Sequence, residues 1–121
     1  MRNKRVVVTG LGALTPIGNG IPAFWDGLVS GKSGCAPITY FDASKFKTQF
    51  ACELKGFDPY DYFDRKEARK MDSFTQYAMV ASDEAIRDAS FNLDTLDKTR
   101  VGVIWGAGIG GLQSFQSFIS T

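Results

Sequence analysis

Arg100-Val101-Gly102-Val103-Ile104-Trp105-Gly106-Ala107-Gly108-Ile109-Gly110-Gly111 is the stretch that decides the fold. Its apolar run does not alternate, which suits a strand covered on both faces, as in the parallel sheet of an α/β protein. The run delivers the backbone into a loop rich in glycine. Leu112, Phe115, Phe118 and Ile119 then approximate helical spacing, so the segment reads strand, glycine loop, helix. The chain opens in a similar way. Arg5-Val6-Val7-Val8-Thr9-Gly10 reads as another buried-type strand, followed by the loop Gly10-Leu11-Gly12-Ala13-Leu14-Thr15-Pro16 and a turn at Gly18-Asn19-Gly20.

Between these two segments the patterns are local. Ile21, Phe24, Trp25, Leu28 and Val29 form one apolar stripe on a helix, with Pro22 suited to its first turn and Gly31 to its C-terminal cap. Phe50, Cys52 and Leu54 alternate with Gln49, Ala51 and Glu53, predicting a strand with one polar face. Asp64 with Glu67 has capping-box spacing and predicts a short helix from Arg65 to Met71. Ser73 with Gln76 repeats the spacing and predicts a longer helix. Phe74, Tyr77, Ala78, Ala81 and Ala85 make its stripe, while Met79, Val80 and Ile86 fall outside it. A helix apolar nearly all round needs something to cover it.

Composition narrows the function. At 121 residues the chain suits one domain, and it holds no repeat, low-complexity run or linker. A net charge of +1 points to neither nucleic acid nor an anionic membrane, so any partner preference must come from local clusters. The basic start, Met1-Arg2-Asn3-Lys4-Arg5, precedes an apolar run too short for a secretory leader, and no segment is long enough to span a bilayer. With Cys35 and Cys52 as the only cysteines, a reduced cytoplasmic setting is expected. The count of zero histidines excludes Ser-His-Asp and Cys-His couples and the usual zinc site. The apolar pattern also stops at Thr121 without a cap, so an incomplete domain is expected.

Four features can be read in more than one way. Gly10-x-Gly12 fails the dinucleotide fingerprint, since Thr15 and Pro16 stand where the third glycine belongs; a tight turn is expected there. Gly106-x-Gly108-x-x-Gly111 matches the spacing formally, leaving nucleotide binding open beside a turn that passes close to another backbone. Lys66, Arg69 and Lys70 stand at i, i+3 and i+4, giving one helix face three cations. That face is either solvated or a docking patch for an acidic partner. Neither cysteine has a visible base or helix N-terminus beside it, so both are expected to be inert.

Six segments in order carry a resemblance that no one of them would carry alone. They are Arg5-Val6-Val7-Val8-Thr9-Gly10-Leu11-Gly12, Pro16-Ile17-Gly18-Asn19, Gly31-Lys32-Ser33-Gly34, Phe41-Asp42, Asp64-Arg65-Lys66-Glu67-Ala68-Arg69-Lys70-Met71-Asp72, and Arg100-Val101-Gly102 through Gly111. Together they resemble the β-ketoacyl-acyl-carrier-protein synthases, the elongating condensing enzymes of fatty-acid synthesis. Ile109 and Phe41-Asp42 favour the second type of these enzymes over the first.

The resemblance implies a thiolase-like layered α/β fold of two similar halves, with this chain as the early part of the first. It implies a decarboxylative Claisen condensation in which a cysteine holds the acyl chain and two histidines stabilise developing negative charge. Cys35 and Cys52 do not match the nucleophile's motif, so no catalytic residue is carried over. Lys66, Arg69 and Lys70 match contacts to the acidic acyl carrier protein. Ile109, with Gly108 beside it, matches the lining of the acyl pocket. No cofactor is implied beyond the phosphopantetheine of the carrier, and no metal, nucleic acid or membrane. Family members are homodimers, and the segment after Gly111 is expected to approach the partner subunit. The alternatives are a non-catalytic partner like a chain-length factor and a stand-alone nucleotide-binding domain.

Overall fold

In the computed structural model, residues 4–120 are described. Met1, Arg2 and Asn3 of the basic start, and Thr121, lie outside them. Two compact units form, Ala13–Asp58 and residues 4–12 with 59–120.

The unit Ala13–Asp58 is built from tight turns. Strand β1 (Leu14–Thr15) pairs antiparallel with β2 (Gly18–Asn19), Leu14 opposite Asn19 and Thr15 opposite Gly18. Only Pro16 and Ile17 separate them. The Thr15 hydroxyl locks the turn by donating to the Gly18 carbonyl at 2.8 Å and accepting from the Gly18 N–H at 3.1 Å. Helix α1 (Ile21–Val29) follows with Pro22 in its first turn, as the stripe predicts. Its end is a Schellman motif: Gly31, at φ +66°, donates to the Leu28 carbonyl, and Lys32 donates to that of Gly27. Gly27 is buried against Ile17, where a Cβ would stand 3.0 Å from the Ile17 carbonyl oxygen. Trp25, Leu28 and Val29 are exposed, so only part of the predicted stripe is covered.

Strand β3 (Ala36–Pro37) pairs antiparallel with β4 (Phe50–Ala51). The strand expected over residues 49–54 is therefore shorter, and its apolar face is not buried: Phe50 and Cys52 are exposed. A side chain replaces the ladder beyond it. The Glu53 carboxylate accepts from the Thr39 hydroxyl at 2.8 Å, the Thr39 N–H at 3.1 Å and the Tyr40 N–H at 3.3 Å. These bonds favour the charged form and hold Glu53 below the ordinary glutamate pKa, the Thr39 hydroxyl contributing most.

The second unit is organised by α3 (Ser73–Asp88), preceded by α2 (Arg65–Ala68) and followed by α4 (Leu112–Ile119). Short 3-10 turns lie at Pro59–Asp61 and Lys98–Arg100. Ala81, Ala85 and Ala89 form a seam of small residues at the C-terminal end of α3, and the Gly10–Gly12 segment lies on it. A Cβ at Gly10 would stand 2.6 Å from the Ala89 nitrogen and overlap the Ala85 carbonyl. One at Gly12 would stand 2.8 Å from the Ala85 nitrogen and overlap the Ala81 carbonyl. Leu11 N–H donates to Asp88 Oδ2 at 2.9 Å, fastening the segment. Gly10-x-Gly12, expected as a tight turn, carries no turn; its glycines serve a backbone-to-helix contact instead.

Two expectations are corrected. Neither Arg5–Gly10 nor Arg100–Trp105 forms a strand among the described residues; both lie outside any ladder, with Val6 93% and Ile104 98% exposed. A β-branched run supplies the extended conformation, but a strand also needs a neighbour's N–H and C=O groups, and none is paired with these runs. The described sheets are the two antiparallel pairs, β1–β2 and β3–β4.

Candidate functional site

The basic turn is built from its cap upward. Asp64, in extended conformation, accepts from the Lys66 and Glu67 N–H groups at 2.8 Å each, satisfying two donors of the first turn of α2. The helix is shorter than the predicted Arg65–Met71. After Ala68 the chain tightens, with Lys70 N–H donating to the Glu67 carbonyl at 3.0 Å and Met71 N–H to that of Ala68 at 3.3 Å. Lys66, Arg69 and Lys70 are nonetheless all exposed on this one turn. Arg65 lies 5.6 Å from the centre of the Tyr60 ring, a cation–π contact at the edge of the same cluster.

Gln76 joins this turn to α3. Its side chain is buried, and its amide nitrogen donates to the Ala68 carbonyl at 2.9 Å and the Met71 carbonyl at 3.2 Å. The Ala68 carbonyl, which also accepts from the Met71 N–H, and the Met71 carbonyl are thereby tied to the first turn of α3. The predicted Ser73–Gln76 capping box does not form. The N-cap is Asp72, and Gln76 is used for this junction instead.

Apolar surface adjoins the cations. Phe63, Glu67, Lys70, Met71 and Met79 line a depression of about 290 Å³. Met79 also lines a larger cavity, about 460 Å³, with Phe74, Ala78, Ile86, Val103 and Trp105. The face of α3 away from the alanine seam is thus the uncovered one. Such an arrangement can take an acidic surface on the cations and an apolar group beside them.

The second glycine loop sits at the other end of α3. A Cβ at Gly110 would stand 2.6 Å from the Phe74 ring, and one at Gly111 would stand 2.7 Å from Asp72 Oδ2. Gly111 is the N-cap of α4 at φ +76°. Gly106 and Gly108 have open space around them, so of the three fingerprint positions only Gly111 is crowded, and by a side chain rather than another backbone. Ile109 is 80% exposed at the turn, and Leu112, Phe115, Phe118 and Ile119 of α4 are exposed as well. Ser114 donates to Asp72 Oδ1, a link between positions 42 apart that no local pattern signals.

Cys35 and Cys52 are free and exposed. Among the described residues no group of three or more His, Cys, Asp or Glu side chains is placed to hold a metal, and no helix is long and apolar enough to cross a membrane. Asp42, Glu53 and Asp97 have carboxyls held below the ordinary value by hydrogen bonds. For Asp97 the Thr99 hydroxyl is the main cause.

Comparison with known proteins is consistent along the chain. A family model described as "Beta-ketoacyl synthase, N-terminal domain" matches residues 3–120. A 3-oxoacyl-[acyl-carrier-protein] synthase 2 of Synechocystis sp. is 50% identical over 113 residues, covering 93% of this chain and 27% of the relative. One from Coxiella burnetii is 46% identical, again over 93% of this chain and 27% of the relative. The chain therefore spans little more than a quarter of the length of these relatives. Among solved structures, the ishigamide ketosynthase/chain length factor matches with TM-score 0.67 at 37% identity, covering 74% of this chain and 22% of that one. A type II PKS acyl-carrier protein in complex with its ketosynthase bound to the hexaketide matches with TM-score 0.53 at 26% identity, over 75% and 23%.

Proposed function

The chain belongs to the β-ketoacyl synthase family through its N-terminal domain, and from that premise we propose that it is the carrier-recognising part of an elongating 3-oxoacyl-acyl-carrier-protein synthase of the second type. The thiolase-like α/β fold follows from the family and its structural neighbours. The single observation that carries the functional reading is the exposed Lys66, Arg69 and Lys70 on one capped turn beside an apolar depression.

In the proposed reaction a cysteine accepts the acyl chain from the carrier's phosphopantetheine as a thioester. Malonyl-carrier protein loses carbon dioxide, and its α-carbon attacks the thioester carbonyl, expelling the cysteine thiolate. The chain contributes no histidine to this chemistry. Its role is to hold the acidic carrier through charge-assisted contacts, which act mainly on encounter rate and orientation. Ile109, with Gly108 giving the backbone room, is proposed to limit the acyl chain at the pocket wall. The setting is cytoplasmic, the assembly a homodimer, and no cofactor is needed beyond the carrier's own arm.

Reversing the charge at Lys66, Arg69 and Lys70 in the full-length protein is expected to raise the Michaelis constant for acyl carrier protein. Three weak ion pairs lost together amount to about tenfold at low salt, with kcat little changed. An unchanged constant would reduce the patch to a solvated face. The likeness to a ketosynthase/chain length factor keeps a second reading, in which the protein is a non-catalytic partner of an active synthase. Carrier-dependent condensation by the purified full-length protein decides between the two.

A further inference from the structure

Asp72 occupies the N-cap of α3 in the extended conformation of a capping residue, yet its side chain makes no capping hydrogen bond to that helix. Asp64, in nearly the same backbone conformation at the start of α2, makes two. An N-cap carboxylate ordinarily accepts from the second or third N–H of its own helix. That of Asp72 is turned to the second glycine loop instead. Oδ1 accepts from the Ser114 hydroxyl in the first turn of α4, and Oδ2 lies where a side chain at Gly111 would have to go. One residue earlier, Gly110 packs against the ring of Phe74 in the same way. The loop is therefore seated on the first residues of α3 by two successive glycines and one carboxylate. Ile109 immediately precedes these contacts.

We propose that Asp72 is a positioning residue: its carboxylate fastens the 106–111 loop and α4 to the start of α3, and so fixes where Ile109 stands. The proposal rests on the reading of Ile109 as an acyl-pocket residue. The seating itself can be tested without that reading. Asp72 is also separated from Lys70 only by Met71, so one short segment carries both the proposed carrier contact and the anchor of the loop.

The test uses the full-length protein with Asp72→Ala, Asp72→Asn and Ser114→Ala. Hydrogen exchange reports the seating whatever the enzyme does. Exchange across residues 106–114 is expected to rise about tenfold in Asp72→Ala, less in Asp72→Asn, which keeps an acceptor oxygen, and to stay unchanged across residues 13–58. No local rise, or an equal rise everywhere, overturns the proposal. Condensation kinetics with acyl groups of increasing length report the function. The ratio of kcat/KM between long and short chains is expected to shift about fivefold in Asp72→Ala and to recover partly in Asp72→Asn, with the Michaelis constant for the carrier held within about twofold. A lower melting temperature with an unaltered chain-length ratio overturns the positioning role. If the unsubstituted protein condenses nothing, it is the proposed function that fails, and the exchange result still judges the seating.

Discussion

Both glycine loops reach α3, at opposite ends and in different ways. Gly10 and Gly12 lie on the seam of Ala81, Ala85 and Ala89, where any side chain would run into helix backbone. In the second loop a Cβ at Gly106 or Gly108 would meet open space, and Gly110 and the last fingerprint glycine, Gly111, bear the contact, against side chains rather than backbone. A Phe ring or an Asp carboxylate can rotate away; a helix carbonyl cannot. Equal spacing of glycines therefore conceals unequal constraint. What decides the cost of a side chain is whether the opposing atom can move.

The comparison is most easily broken at Gly12. Gly12→Ala is expected to destabilise the protein by about 2 kcal/mol or more, since the overpacking is against main chain. Thermal denaturation should register this as a drop of roughly 10 °C; a shift near zero would mean that the seam is loose. Gly111→Ala is a smaller change. Its left-handed backbone costs about 1 kcal/mol for any residue with a Cβ, and Asp72 must give way. Faster exchange confined to the second loop and α4 should accompany that loss. Gly108→Ala should stay within about 0.5 kcal/mol of the parent protein, having neither a positive φ nor a neighbour. A Gly108→Ala loss as large as that of Gly111→Ala would erase the distinction within the second loop.

Features set by near neighbours in sequence were legible in advance. The stripe from Ile21 to Val29, Pro22 and the glycine at 31 define α1 because a helix is made of contacts three and four residues apart. Asp64 as the cap of α2 is legible for the same reason. The Lys66, Arg69 and Lys70 cluster was legible as one exposed face, although the helix beneath it ends at Ala68. What escaped depends on distant partners. Val6 to Val8 and Val101 to Trp105 have the composition of buried strands, but a ladder is a property of two segments, and composition describes one. Ser73 and Gln76 have the spacing of a capping box, and Gln76 instead answers the carbonyls of Ala68 and Met71. The Asp72–Ser114 link joins two polar residues with no motif between them. Gly12 looked like a turn glycine until α3 was placed beside it.

The buried amide of Gln76 has a consequence for recognition. A loose lysine- and arginine-bearing segment would have to lose backbone freedom as a partner arrived, and that loss would be subtracted from the strength of association. Here one side chain closes the junction between α2 and α3 during folding. The three cations are thus presented from a backbone already fixed, and only their own side chains remain to be ordered. On the proposed carrier-docking reading, Gln76 would act without touching the carrier, by setting how much of the contact's free energy survives as affinity.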